Sequence, residues 1–379
     1  MKLKLLLIIN LFFVNSLLIA QYTNTTFGYS SNDGGEYNSF YGAYTGYSNT
    51  TGKDGVFVGF KTGYSNTSGE KNTFIGRQAG YFNTMGGYNV FSGYNSGYQN
   101  TTGSNNAFYG TKSGLGNTTG WENVFTGHES GQGNTTGYRN VFVGCGSGRG
   151  NNTGSNNVFI GYESGQSNQT GSYNVFTGDD TGLQNKGHGN IFTGRQAGYR
   201  NTTGNYNLYL GYKAGYSNNS GSYNIFIGHR AGENETTSNR LYIDNSPTTI
   251  PLIYGKFDTD QVGINTNVIP AGYAMAVKGK FITEEVKVQT YANWPDFVFK
   301  KEYNLPSINE VEQHIKKKGH LPNIPSASEV SENGILLGEM NAKLLQKIEE
   351  LTLYIIQQEK RFNDQEARLK KLEAEMSSK

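Results

Sequence analysis

The sequence predicts a mostly β protein: a parallel β-solenoid (β-roll) of about twelve 17-residue coils, then a β-rich neck, a small mixed α/β segment and a C-terminal coiled-coil helix, the whole expected to be trimeric. Three observations carry that expectation. An aromatic residue recurs every 17 residues, glycine recurs at three fixed phases around it, and from Leu337 onward apolar residues alternate four and three apart. Self-similarity at a short fixed period marks a stack of coils, none of which buries its apolar face alone.

Composition agrees with an ordered repeat. The 379 residues include 52 Gly, 27 Tyr, 21 Phe and only 7 Pro, with a formal charge of +2. Disordered chains are poor in aromatics and rich in charge, which excludes that class here. The first element, residues 1–20 (MKLKLLLIINLFFVNSLLIA), has two lysines, an apolar stretch and a terminal Ala before Gln21, the layout of a cleaved secretory signal. An N-terminal anchor left in place is the alternative. No later stretch holds the roughly 18 apolar residues a spanning helix needs, and no cysteine lies near the cut to carry a lipid. The mature chain is therefore expected to be secreted or at the cell surface, with residues 21–37 as an N-terminal cap.

The repeat occupies residues 38–243. Its aromatic falls at Phe40, Phe57, Phe74, Phe91, Phe108, Phe125, Phe142, Phe159 and Phe176, then, after a one-residue deletion, at Phe192, Tyr209, Phe226 and the degenerate Tyr242. Glycine stands two residues after it (Gly42, Gly59, Gly76), six after it (Gly46, Gly63, Gly80), and at the end of the "NTTG" segment (Gly52, Gly103, Gly120). Such phases require positive φ or close backbone approach, which a helical repeat would not tolerate. The aromatic's neighbours are β-formers: Val56 and Val58, Val141 and Val143, Ile225 and Ile227. In a strand these two point to one face and the aromatic to the other. We expect the Val/Ile pair inside the coil and the rings outside, stacked about 4.8 Å apart along a rod of roughly 60 Å. A row of exposed rings is an interface, so Phe57, Phe74, Phe91, Phe108, Phe125, Phe142, Phe159, Phe176, Phe192 and Phe226 are the expected trimer contacts.

Other repeated positions have structural readings first. Small residues precede the second glycine (Ala79, Ser96, Ser113, Ala197), as a narrow coil needs. Asn recurs two before the aromatic (Asn72, Asn89, Asn106) and at the start of "NTTG" (Asn49, Asn66, Asn83), suiting corners, because Asn bonds nearby backbone. The same Asn are sequons in form, which we give little weight. Tyr recurs seven after the aromatic (Tyr47, Tyr64, Tyr81, Tyr98, Tyr199, Tyr216); ring-on-ring packing is favoured over stacking on sugars. The single Cys145, in "GCGSG", is expected to be an incidental turn residue, and no disulfide framework exists.

The pattern N-V-F-I-G-x-x-S-G-x-x-N-T-T-G resembles the head repeats of trimeric autotransporter adhesins. The likeness covers residues 38–243 and implies a left-handed parallel β-roll within a trimer and an adhesive role. The chain departs from that family in its longer period, in Phe where a small residue is usual, and in having no C-terminal membrane barrel, which puts self-export and outer-membrane anchoring in doubt.

Past the repeat, residues 244–290 hold short strand candidates, LIYGKF, QVGINT, AMAVKGKF and EEVKVQT, that read as a β-rich neck. Residues 291–336 mix Pro-marked loops with a helix from Ile308 to Lys318, capped by Ser307 and stopped by Gly319. In residues 337–379 the heptad core runs through Leu344, Ile348, Leu351, Ile355, Phe362, Leu369 and Leu372. Ile at a with Leu at d leans towards two strands, while polar Asn341, Gln358 and Gln365 weaken that lean; three chains are kept as the expectation. From about residue 239 the chain also resembles tail-fibre modules at the ends of secreted Bacteroidetes-type proteins and, more remotely, the intramolecular chaperone domain of phage tail spikes. That family trimerises a β shaft and in some members cuts itself at a Ser-Asp pair. Here GKFITEEVKV has Thr283 and Glu284 and no serine, so cleavage is not expected.

No phosphate loop, HExxH pair, CxxC or nucleophile elbow is present, and no cofactor is expected. His128, His188, His229, His314 and His320 are scattered, and the coils lack the regular Asp of calcium-binding rolls. Asp258 and Asp260 read as an acidic turn rather than a cation site. No Lys/Arg stripe points to nucleic acid. The leading expectation is a secreted or surface fibre or adhesin that partners itself and an outside ligand, glycan or host or matrix protein. An ice-, crystal- or glycan-binding solenoid using Thr and Tyr ladders comes second, with Thr50–Thr51, Thr101–Thr102 and Thr118–Thr119 in register; a self-cleaving chaperone comes third.

Overall fold

The computed structural model describes residues 24–32, 34–289 and 294–378, so the expected signal at 1–20 lies outside the described residues. The chain forms two compact units, one ending at Phe281 and one running from Ile282.

The first unit is a parallel β-solenoid. Its ladder begins at Thr25–Phe27 and Ser39–Tyr41, continues with one three-residue strand per coil (Val56–Val58, Thr73–Ile75 and so on), and ends at Arg240–Ile243. Neighbouring strands pair in parallel with the aromatics in register, Phe57 on Phe74 and Phe125 on Phe142. The deletion after Phe176 leaves the register intact, with Phe176 on Phe192. It is absorbed at the "NTTG" corner, where Asn185 reaches Gly187 two residues on while other coils reach three.

The strand orientation is the reverse of the one expected. Phe57, Phe74, Phe91, Phe108, Phe125, Phe142, Phe159, Phe176, Phe192 and Phe226 are all buried, at 0–1% exposure, and the Val/Ile neighbours face outward. The rings do stack, 4.7 to 4.9 Å apart from Phe57 through Phe226, but inside one chain. They are therefore not contacts between chains. The cause is the width of the coil. Each ring lies flat on the backbone of the glycine six residues on: a Cβ on Gly63 would sit 2.6 Å from Phe57 Cε2. A flat ring fills this narrow interior with its full face; a Val/Ile pair in its place would leave that glycine uncovered.

The two Asn ladders complete the core. In the "NTTG" series, Asn117 donates from Nδ2 to Asn100 Oδ1 at 2.7 Å and to the Gly120 carbonyl at 3.0 Å, while its Oδ1 accepts from Asn134 at 2.8 Å. In the series before the aromatic, Asn106 donates to the Gly120 carbonyl at 2.9 Å, and its Oδ1 accepts from the Asn123 amide at 3.0 Å. Burial of so many amides is tolerated because they find partners in their own and adjacent coils; the Asn201 and Asn218 Oδ1 atoms, at the end of the "NTTG" series, are buried without one.

Glycine phases divide as the sequence allowed. Gly59 has φ +137 and Gly63 φ +56, whereas Gly52 is a close approach, its Cβ position lying 2.6 Å from the Gly69 carbonyl oxygen. In most coils two further left-handed corners carry ordinary side chains, as at Lys71 and Arg139 before the strand and Lys61 and Lys112 after it, while Gly146 and Gly189 take that place in two coils. Inter-coil backbone bonds hold them there, Lys71 to Lys53 at 2.8 Å and Lys112 to Tyr94 at 2.8 Å.

The C-terminal end of the stack is closed. Arg240–Ile243 pairs antiparallel with Ile253–Lys256, which pairs antiparallel with Gln261–Ile264, itself parallel to Met275–Val277. Here the aromatic column turns edge-on, Tyr242 meeting Phe226 at 83° and Tyr254 meeting Tyr242 at 90°. Antiparallel strands and crossed rings stop a parallel stack from propagating, as a terminal cap must. EEVKVQT forms no strand among its described residues.

In the second unit a 3₁₀ turn at Pro295–Phe299 precedes three helices, α1 (Ile308–Lys318), α2 (Ala327–Asn333) and α3 (Leu337–Ser377). Helix α1 begins at a capping box of Ser307 and Glu310 and stops at Gly319 with φ 79, as read from the sequence. Helix α2 was not foreseen; the same device, Ser326 with Glu329, starts it. The Tyr303 hydroxyl donates to Glu350 and the Tyr354 hydroxyl to the Pro306 carbonyl, which fastens the 303–306 stretch to the middle of α3.

Candidate interaction surfaces

Among the described residues the surfaces with functional content are repeated rows on the solenoid and a seam on α3. The strand residues flanking each buried ring form the first. Val56, Val124, Ile160 and Ile191 are 39%, 39%, 41% and 46% exposed and belong to a continuous outward sheet face.

The second row is the tyrosine column seven residues after the aromatic. Tyr47, Tyr64 and Tyr81 stack at 4.9 and 5.0 Å with interplanar angles of 6° and 4°, and Tyr199 lies 5.1 Å from Tyr216. Burial, then the neighbouring Tyr81 and Tyr94, pushes the Tyr98 hydroxyl above its ordinary range. Tyr64 and Tyr81 have rings on both faces and offer only edges, whereas Tyr47, Tyr98, Tyr199 and Tyr216 each stack on one side, and sugar stacking needs faces.

The third row is the threonine pair. The first hydroxyl of each pair is spent along the axis, Thr101 donating to the Thr118 carbonyl and Thr118 to the Thr135 carbonyl at 3.0 Å each. The second residue, Thr102, Thr119 or Thr136, is exposed. The pair sits in a bend rather than a strand, so its two members do not form one flat face. The sequon Asn of this segment are buried within the ladder, Asn66, Asn100 and Asn117 at 1%, 0% and 0% exposure, and are closed to glycosylation in the folded chain.

Groups with catalytic or ligating potential are accounted for by local partners. Among the described residues no three of His, Cys, Asp and Glu gather where a metal could sit. Cys145 is exposed, with its Sγ 3.9 Å from His128 Nδ1. Burial raises the Glu129 carboxyl, but Lys112 at 3.2 Å, His128 and Arg149 at 3.5 Å outweigh it and hold the group below its usual range. Asp258 pairs with Arg240 at 3.0 Å, and Asp260 occupies a left-handed turn. Tyr209, the one hydroxyl in the middle of the ring column, is buried with no hydrogen bond, and burial pushes its ionisation far above the ordinary range despite the nearby Asn224 side chain.

Helix α3 carries the heptad residues where the sequence placed them. Leu344, Ile348, Leu351, Ile355, Phe362, Leu369 and Leu372 are 46%, 59%, 57%, 58%, 61%, 59% and 57% exposed, and from Ile355 to Ser378 every residue is exposed. Where α1 lies beside α3, Ile308, Val311, Leu321 and Pro322 wall an apolar groove of about 440 Å³ whose other side is Leu344, Ile348 and Leu351. The sequence reading treated α1 only as a short helix; its amphipathic Ile308-Val311-Ile315 spacing was the signal for this groove. No helix among the described residues is long and apolar enough to cross a membrane.

No protein-family model, curated protein or solved structure matches the chain.

Proposed function

We propose that the chain is a secreted or cell-surface structural fibre that self-associates through α3, its solenoid presenting an extended adhesive surface. The single observation that carries this reading is the seam. A 41-residue helix with large apolar side chains along one stripe, each about half exposed, gains roughly 1 kcal/mol per side chain once a partner covers it. Heptad spacing makes the matching partner another copy of the same helix. Three copies remain the preferred number, with two as the alternative that Ile at a and Leu at d favours. The resemblance to trimeric autotransporter adhesin heads supports the adhesive role, and the likeness to tail-spike chaperone domains supports an assembling role for the C-terminal unit. Self-cleavage stays the remotest reading, since Thr283 and Glu284 stand where that family has serine and aspartate.

The ligand class is a glycan or a host or matrix protein. The filled faces of Tyr64 and Tyr81 favour a protein partner over sugar stacking along that part of the column. An ice- or crystal-binding role draws support from the exposed outer Thr row alone, and a thermal-hysteresis assay on purified protein would detect it. Light scattering on residues 21–379 and on a chain ending at Leu336 tests the main reading. A trimer that separates on truncation is expected; a monomer in both cases rejects it. Labelling of unpermeabilised source cells with antibody against the solenoid should be positive, and retention inside the cell would contradict the surface role.

A further inference from the structure

The outward residues beside the buried rings have a property that their neighbours lack. Across the twelve coils from Phe40 to Phe226 there are 24 such positions; sixteen are aliphatic, two are Tyr, six are Ser or Thr, and none is charged. The rows on either side carry charge freely: Lys71, Glu122 and Arg139 three residues before the aromatic, and Arg77, Lys112 and Glu129 three or four after it. Twelve of these positions are exposed and twelve part-buried, and solubility alone gives no reason to keep all of them free of charge while their flanks carry it. A surface that must lose its water does.

We propose that this aliphatic strand face is the contact between the solenoids of neighbouring copies of this chain. The proposal deepens the self-association reading and rests on it for bringing copies together. Two arguments select a second copy as the occupant. Because the face has no charge, two copies meeting on it bury no like pair, so it is complementary to itself; a charged partner would lose solvation without gaining an ion pair. The area also fits. Twelve strands about 4.8 Å apart and three residues of about 3.3 Å give roughly 500–600 Å² per copy, near 1,200 Å² for a pair, the lower end of a specific interface. Such a contact is weak alone and becomes effective when a stalk raises the local concentration.

The test uses the full chain and its own cysteine. Cys145 is exposed and lies three residues after Phe142, beside the face, so a nitroxide on it reports the separation of solenoids in an oligomer. Electron–electron double resonance should give a short, narrow distance distribution for the parent. In V124K/V158K the distances should lengthen and broaden while the light-scattering mass is unchanged. Far-UV circular dichroism melts check the fold of that variant, and Ile160→Thr, which keeps the β-branch, should shift the distances the same way to a smaller extent. Unchanged distances in V124K/V158K, or a long, broad distribution in the parent oligomer, would overturn the proposal. The stalk reading fails separately: if L351K/I355K keeps its mass and loses it only when the face lysines are added, the face contact stands and α3 is not the assembling element. A monomeric parent would overturn both.

Discussion

Substituting Asn117 tests what holds the coils together more searchingly than removing apolar bulk. Its amide makes three bonds, two donated and one accepted, at 0% exposure. Asn117→Ala removes all three, leaving Asn100 Oδ1 and one Asn134 proton unpaired and the Gly120 carbonyl with Asn106 alone. At about 1 kcal/mol per lost bond, and up to 3 where a group stays dry and unpaired, the expected cost is about 3–5 kcal/mol. Asn117→Asp keeps the shape and inverts the chemistry, because a carboxylate cannot donate to Asn100 Oδ1 or Gly120 O. Burial against two acceptors raises the carboxyl's folded pKa above its unfolded value. The two states then bind protons equally below the unfolded pKa and again above the folded one, and differ only between them. As pH rises through the window between the two, the unfolded chain ionises first and stability is lost, levelling off above the folded pKa. Urea melts at pH 4 and pH 7, followed by circular dichroism, should place Asn117→Asp above Asn117→Ala but about 1–2 kcal/mol below the parent at the lower pH, since a neutral carboxyl donates once where the amide donates twice, and well below Asn117→Ala at the higher. A loss under about 1 kcal/mol, or one independent of pH, would mean that water reaches the ladder and that the Asn columns do not form a dry core.

Other expectations are simpler. Phe125→Ala, which empties a ring site between neighbours at 4.7 and 4.8 Å, should cost about 3–5 kcal/mol, whereas Val124→Ala should cost less than about 1; comparable losses in urea melts would contradict the assignment of faces. Gly59→Ala places a Cβ 2.7 Å from the Gly76 carbonyl at φ +137 and should lower the melting temperature more than Thr119→Ala, a change on the exposed outer row. Tyr209→Phe removes a buried hydroxyl that has no hydrogen bond and should leave stability unchanged or raise it by about 1 kcal/mol; a clear loss would mean that Asn224 bonds it.

The period, the glycine phases, helix α1 with both caps and the start of α3 were legible because each is written in residue types with one local meaning. The sign of the strand faces was not. Alternation separates two faces without saying which is inside, and Val/Ile pairs outweigh a single ring on any hydrophobicity count. The coils themselves held the answer. The flanking positions drift among Val, Thr, Ala, Leu, Ser and Tyr, while the aromatic and the Asn two before it, which share its face, barely change. A face that varies from coil to coil is the outer one, and the inner one must match its copies above and below. The left-handed corners at Lys61, Lys71, Lys112 and Arg139 leave no trace in residue type, because inter-coil backbone bonds impose them. The first strand, Thr25–Phe27, was hidden by Thr26 standing where the aromatic belongs.

Thiol accessibility across one strand tests the central claim, that each coil closes around its ring, most directly. In a Cys145→Ser background, Val124→Cys, Phe125→Cys and Thr126→Cys would each be timed against a maleimide under native conditions. Fast, slow, fast is the predicted order, with the middle site reacting only through opening of the coil. Slow, fast, slow would put the rings outside and contradict the account.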